Sequence, residues 1–115
     1  MTPAALEKAA LALPGAELSI KWGDDRCYTI GGKMFAATDG ASSNLSMKMT
    51  DIAFEALTEA GRGRPAPYMA RAKWVMFDDV SKLDAAEVAD WLATAHKLVA
   101  EKLTRKQRAE LGLAV

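Results

Sequence analysis

Few side chains in this sequence are equipped for chemistry. His96 is the single histidine and Cys27 the single cysteine. A histidine acting as general base needs a nucleophile and an orienting partner. On a helix the i±4 neighbours of His96 are Leu92 and Ala100, which offer neither. A nucleophilic cysteine needs a base beside it. Cys27 lies in a strand-like stretch with no adjacent histidine and reads as a packed structural residue. One His and one Cys, without CxxC or HxxxH spacing, do not make a zinc site. Asp24-Asp25 and Asp78-Asp79 are paired carboxylates, able to hold a divalent cation if a further oxygen ligand is near. Both fall at turn positions, where aspartate accepts backbone amide hydrogen bonds instead. Gly31-Gly32 precedes a strand, not a helix, so it marks a hairpin turn and not a phosphate loop. The expectation is a non-enzymatic chain with no catalytic residue, no metal and no cofactor.

The stretch that stands out is Arg62 to Phe77, RGRPAPYMARAKWVMF. It carries Arg62, Arg64, Arg71 and Lys73 with no acid among them. Arginine on a loop beside an aromatic residue, here Tyr68, suits phosphate contact. Pro65 and Pro67 exclude a helix at its start. Lys73 to Phe77 is β-branched and aromatic, hence a strand. In that strand Trp74 and Met76 share one face, and Lys73, Val75 and Phe77 the other. Lys21, Lys33 and Lys48 extend the basic patch if their strand faces are exposed. The competing view is a solvated loop balancing Asp51, Glu55 and Glu59 of the preceding helix.

These candidates sit on a chain of 115 residues, the size of one domain (1–115). Such a domain buries roughly 65% of its unfolded surface. Fifteen basic and fifteen acidic residues cancel, so no global field draws nucleic acid or an acidic membrane and any basic patch must be local. One cysteine permits no internal disulfide, which suits a reducing cytoplasm. No basic-then-apolar leader is visible, and no apolar run approaches the ~20 residues of a membrane span. A soluble cytoplasmic protein without a membrane partner is expected.

The elements follow from periodicity. Thr2-Pro3 starts a helix with an apolar stripe of Leu6, Ala9, Ala10 and Leu13, and Pro14-Gly15 stops it. Leu18, Ile20 and Trp22 alternate with Ser19 and Lys21 as a half-buried strand or extended arm, and Gly23-Asp24-Asp25 turns. Arg26 to Ile30 and Lys33 to Thr38 form a hairpin, the latter with Met34, Ala36 and Thr38 opposite Lys33, Phe35 and Ala37. After a polar loop from Asp39 to Ser43, Asn44 to Met49 is a fourth strand. Thr50 or Asp51 caps a second helix that Gly61 ends. Asp84 to Glu87 is a capping box opening the longest helix, which runs to about Leu103. Thr104 with Gln107 opens a short last helix, closed by Gly112. The order α-β-β-β(β)-α-β-α, plus the terminal helix, predicts an α+β domain: an antiparallel sheet of four to five strands with helices packed outside it. The expected core includes Leu6, Leu13, Ile30, Phe35, Leu45 and Met47. Leu57, Trp74, Met76, Trp91, Leu92 and Val99 complete it.

Five segments recur in a recognisable order. They are Leu13-Pro14-Gly15-Ala16, Gly32-Lys33-Met34-Phe35-Ala36, Leu45-Ser46-Met47-Lys48, Pro67-Tyr68-Met69 running on to Lys73-Trp74-Val75, and a closing amphipathic helix from Lys97-Leu98-Val99 to Leu103. In these the chain resembles the MmcQ/YjbR-like family of small bacterial proteins. That family's closing helix often carries a Ser-Tyr pair where Ala95-His96 stand here. The resemblance implies an α+β fold similar to type III secretion chaperones, a double-wing arrangement and DNA binding. It marks Lys33, Lys48 and Lys73 as family-like basic positions, and charge spacing adds Arg62, Arg64 and Arg71. The expected function is weak, non-specific contact with the DNA backbone through these six residues. The alternative is a protein-interaction or chaperone-like module using an exposed sheet face or edge.

Overall fold

The computed structural model describes residues 1–21, 23–39, 43–67 and 69–113. Trp22 and Tyr68, expected in the first strand and in the basic loop, lie outside the described residues, as does part of the Asp39 to Ser43 loop. Four helices and six strands follow one another: α1 (Pro3–Leu11), β1 (Ala16–Lys21), β2 (Asp25–Ile30), β3 (Lys33–Thr38), β4 (Leu45–Lys48), α2 (Asp51–Glu59), β5 (Arg64–Pro65), β6 (Trp74–Phe77), α3 (Ala85–Ala100) and α4 (Arg105–Glu110). Short 3-10 turns span Ala70–Ala72 and Val80–Lys82.

The caps are where the residue types place them. The side chains of Thr2, Thr50, Asp84 and Thr104 each accept a backbone N–H of the first turn they precede. Among the described residues only the Thr104–Gln107 pair closes a reciprocal capping box; at α3 Asp84 accepts from Glu87 N–H without the return bond. Because Thr104 starts a new helix, α3 ends at Ala100, three residues short of the expected Leu103.

The sheet is antiparallel throughout, in the order β1-β2-β3-β4-β6-β5. It has one strand more than expected. β5 is a two-residue strand at the sheet edge, where Pro65 needs no ladder N–H. Helices α1 and α3 pack against one face. Leu6, Ile30, Leu45, Met47 and Leu92 meet there at full or nearly full burial.

Two expectations about strand faces are corrected. The β2–β3 register shifts at Tyr28/Thr29, with Tyr28 opposite Ala36 but Thr29 opposite Met34. Phe35 is the extra residue of a β-bulge, which breaks simple alternation. Phe35 and Ala36 therefore both enter the core, while Met34 and Ala37 both line the open face. In β6 the alternation holds but its sense is reversed. Val75 and Phe77 belong to the core with their partners Met47 and Leu45. Trp74 and Met76 lie opposite Lys48 and Ser46, on the other face. Trp74 is still only 3% exposed, and the preceding loop is held beside it: Ala66 N–H donates to the Trp74 carbonyl and Trp74 N–H to the Met69 carbonyl. Trp91 is half-buried, its ring stacked on Phe77 at 4.9 Å. Leu13 and Met76 are also half-buried. Among the described residues no helix is long and apolar enough to cross a membrane.

Candidate nucleic-acid interface

Antiparallel pairing sends alternate strands in opposite directions, so the start of β3, the end of β4 and the start of β6 share one end of the sheet. Lys33, Lys48 and Lys73 occupy those positions. Arg71, from the 3-10 turn, joins them, and so does Lys102, just past the end of α3. The five cations line one groove of about 440 Å3, with Asp51 as its only acid among the described residues.

The backbone at Lys73 is what turns its side chain out of the strand. Lys73 is not the first strand residue but the cap of the 3-10 turn, with φ 63° and ψ 39°, the left-handed conformation. It is the one non-glycine residue with positive φ among those described. Its carbonyl accepts from Met49 N–H at 2.9 Å, and its ammonium stands 5.0 Å above the Phe54 ring.

Lys48 is half-buried and donates from Nζ to the Ala72 carbonyl. Burial holds its pKa below the ordinary lysine value, the Lys102 charge pushes the same way, and Asp51 partly opposes them. Lys33, Arg71 and Lys102 are exposed and make no ion pair among the described residues.

The two remaining predicted cations stand elsewhere and are paired. Arg62 bonds Glu87 at 2.7 Å and lies 5.6 Å over the Trp91 ring. Arg64 bonds Asp78 at 2.8 Å. The structure thus gathers Lys33, Lys48, Arg71 and Lys73, separates Arg62 and Arg64 from them, and adds Lys102, which charge spacing missed. Lys102 gave no local signal, since it is one cation at the end of a long amphipathic helix.

The other chemical candidates have structural surroundings. His96 is 7% exposed, more buried than a surface histidine, with Nε2 at 2.7 Å from the Pro14 carbonyl. Its ring meets Phe35 edge-on at 5.5 Å. It ties α3 to the turn after α1. Cys27 is fully buried, and burial pushes its thiol pKa up. Asp79 caps the 3-10 turn by accepting from Ser81 N–H and Oγ, which holds its carboxyl below the usual range. Asp78 is the partner of Arg64. Asp25 is the first residue of β2 and not a turn residue. Among the described residues no three His, Cys, Asp or Glu side chains cluster to hold a metal.

The molecule is an α+β protein whose sheet has one face under helices and one end lined with lysines. The YjbR family model matches residues 11–98, and the chain belongs to that family. A crystal structure of Deinococcus radiodurans protein DR2400, described as a DUF419 domain, superposes with a TM-score of 0.84. It is 24% identical, over 98% of this chain and 92% of the other, and so shows the shared fold. No curated protein matches the chain.

Proposed function

We propose that this protein binds nucleic acid through its phosphate backbone, weakly and without sequence preference, and catalyses no reaction. The observation behind this is the convergence of five cations from separate segments on one groove with a single acid. Cations so placed displace the counterions condensed on a polyanion, which makes affinity steeply salt-dependent. The proposed site is Lys33, Lys48, Arg71 and Lys73 with Lys102. Arg62 and Arg64 are already neutralised by Glu87 and Asp78. A buried lone thiol suits a reducing compartment, and a cytoplasmic setting is part of the proposal.

The test is fluorescence anisotropy of labelled duplex DNA at several salt concentrations. The expected Kd at physiological salt is about 10⁻⁴ to 10⁻⁶ M. Replacing Lys33, Arg71 and Lys102 together by Gln is expected to flatten the salt slope by up to ~3 contacts. No binding at low salt, or an unchanged slope in the triple variant, would refute it.

A second proposal, a protein-interaction module, has its own support. β1 is an edge strand of the sheet, and its Ile20 is 53% exposed. Such an edge is a template for strand addition. A pull-down with and without nuclease separates the two. Partners that survive nuclease and depend on Ile20 favour the edge.

A further inference from the structure

Beside the lysine groove lies a second depression, of about 560 Å3, on the open sheet face, and Met34 and Trp74 line both. There Ala37, Pro67 and Met69 make the surface apolar, and Ser46 and Asp25 are its polar groups. Neither the Ser46 hydroxyl nor the Asp25 carboxylate makes a hydrogen bond or ion pair among the described residues. Lys33 is opposite Ile30, the last residue of β2, and Asp25 is the first. Five residues at ~3.3 Å each put the two ends about 16 Å apart.

We propose that the two adjacent grooves seat an unstacked nucleotide of a single-stranded nucleic acid. This rests on the phosphate-binding proposal above and names its substrate class. The phosphate lies among the lysines, the base lies against Met34 and Met69, and the base edge faces Ser46, with Asp25 beyond. The sequence of surfaces carries the assignment. Cationic, then apolar, then hydrogen-bonding is the order of phosphate, base face and base edge in one nucleotide. An acyl chain with an anionic head would satisfy the first two surfaces but press hydrocarbon on Ser46 and Asp25, stripping them of water without a partner. A duplex keeps its bases stacked and reaches only the cationic end.

The experiment compares three labelled probes of equal length by anisotropy: a base-bearing single strand, an abasic deoxyribose-phosphate strand and a duplex. The base-bearing strand is expected to bind roughly tenfold tighter than the abasic one, in the range of a single base contact. Ala37→Leu fills the groove without changing charge and is expected to erase that preference while keeping the salt slope. Met69→Ala, on the covering loop, is expected to reduce the preference several-fold and serves if Ala37→Leu fails to fold. Equal affinity for base-bearing and abasic strands overturns this inference and leaves the phosphate contact standing. Failure of all three probes at low salt overturns both. A free deoxynucleoside monophosphate binding as tightly as the strand would overturn the strand as its source.

Discussion

The two faces of the sheet are built from similar residues but do different things. The helix-covered face holds Phe35, Met47 and Val75 with no measurable exposure. The open face holds Met34, Met76 and Ala37 half-exposed, with Trp74 buried beside one loop. Burial on the first face is set by α1 and α3, which are anchored along their length. Burial on the second depends on a short proline-containing segment. Apolar surface thus serves cohesion on one side and is left available on the other, beside the lysines.

The sharpest way to break this comparison is to truncate two consecutive residues. Phe35→Ala is expected to cost about 3–5 kcal/mol, the range for a buried aromatic. Its neighbour Met34→Ala, on the open face, is expected to cost under ~1 kcal/mol. Urea denaturation measures both, and similar losses would disprove the bulge that separates them.

Cys27 sharpens the picture, since it lies opposite Ala37 yet is fully buried. Its raised pKa leaves less thiolate at neutral pH than a free cysteine has. A thiol reagent should modify the native protein much more slowly than the urea-unfolded protein. Equal rates would mean that the open face is not sealed there.

Between the two cationic regions the expected effects are smaller. Arg62→Gln with Arg64→Gln should leave the salt slope of DNA binding unchanged, because both charges are already paired. A slope as flat as that of the Lys33, Arg71 and Lys102 variant would return the paired arginines to the site.

The smallest effect concerns Lys48. Its folded-state pKa lies below the ordinary 10.5, mainly from burial. The charged form is therefore disfavoured by folding, and stability should rise with pH between that lowered value and 10.5. Lys102→Gln removes the like charge and should move the Lys48 pKa back up, as read by NMR of its ammonium. An unchanged pKa would show that Lys102 is not its neighbour.

Much of this was legible in residue types, and the exceptions are physical. Helix starts were visible because Thr2, Thr50, Asp84 and Thr104 act within a few residues. The α+β class and the hairpin at Gly31-Gly32 followed from period-two runs and turn chemistry. The bulge at Phe35 was not visible, since nothing in its neighbours marks one extra residue. For β6, Trp74 outweighed Val75 as a core candidate by size alone. Ala66 and Met69, hydrogen-bonded to the Trp74 backbone, come from a loop whose path no periodicity encodes. At the site, Lys33, Lys48 and Lys73 were grouped by the family resemblance alone, and strand order supplies the physical reason, that their strand ends coincide. Arg62 and Arg64 looked free because their partners Glu87 and Asp78 lie 25 and 14 residues away.

The left-handed turn at Lys73 bears on how such a surface survives selection. An L-residue in that conformation costs on the order of 1 kcal/mol relative to glycine. Lys73→Gly is therefore expected to be a gain for a population screened on thermal stability alone. It would also delete one of the five charges at the sheet end. A library sorted for robustness should drift toward glycine at 73, and one sorted for ligand retention should hold lysine there. Which residue wins would show whether that position is kept for the fold or for what the fold carries.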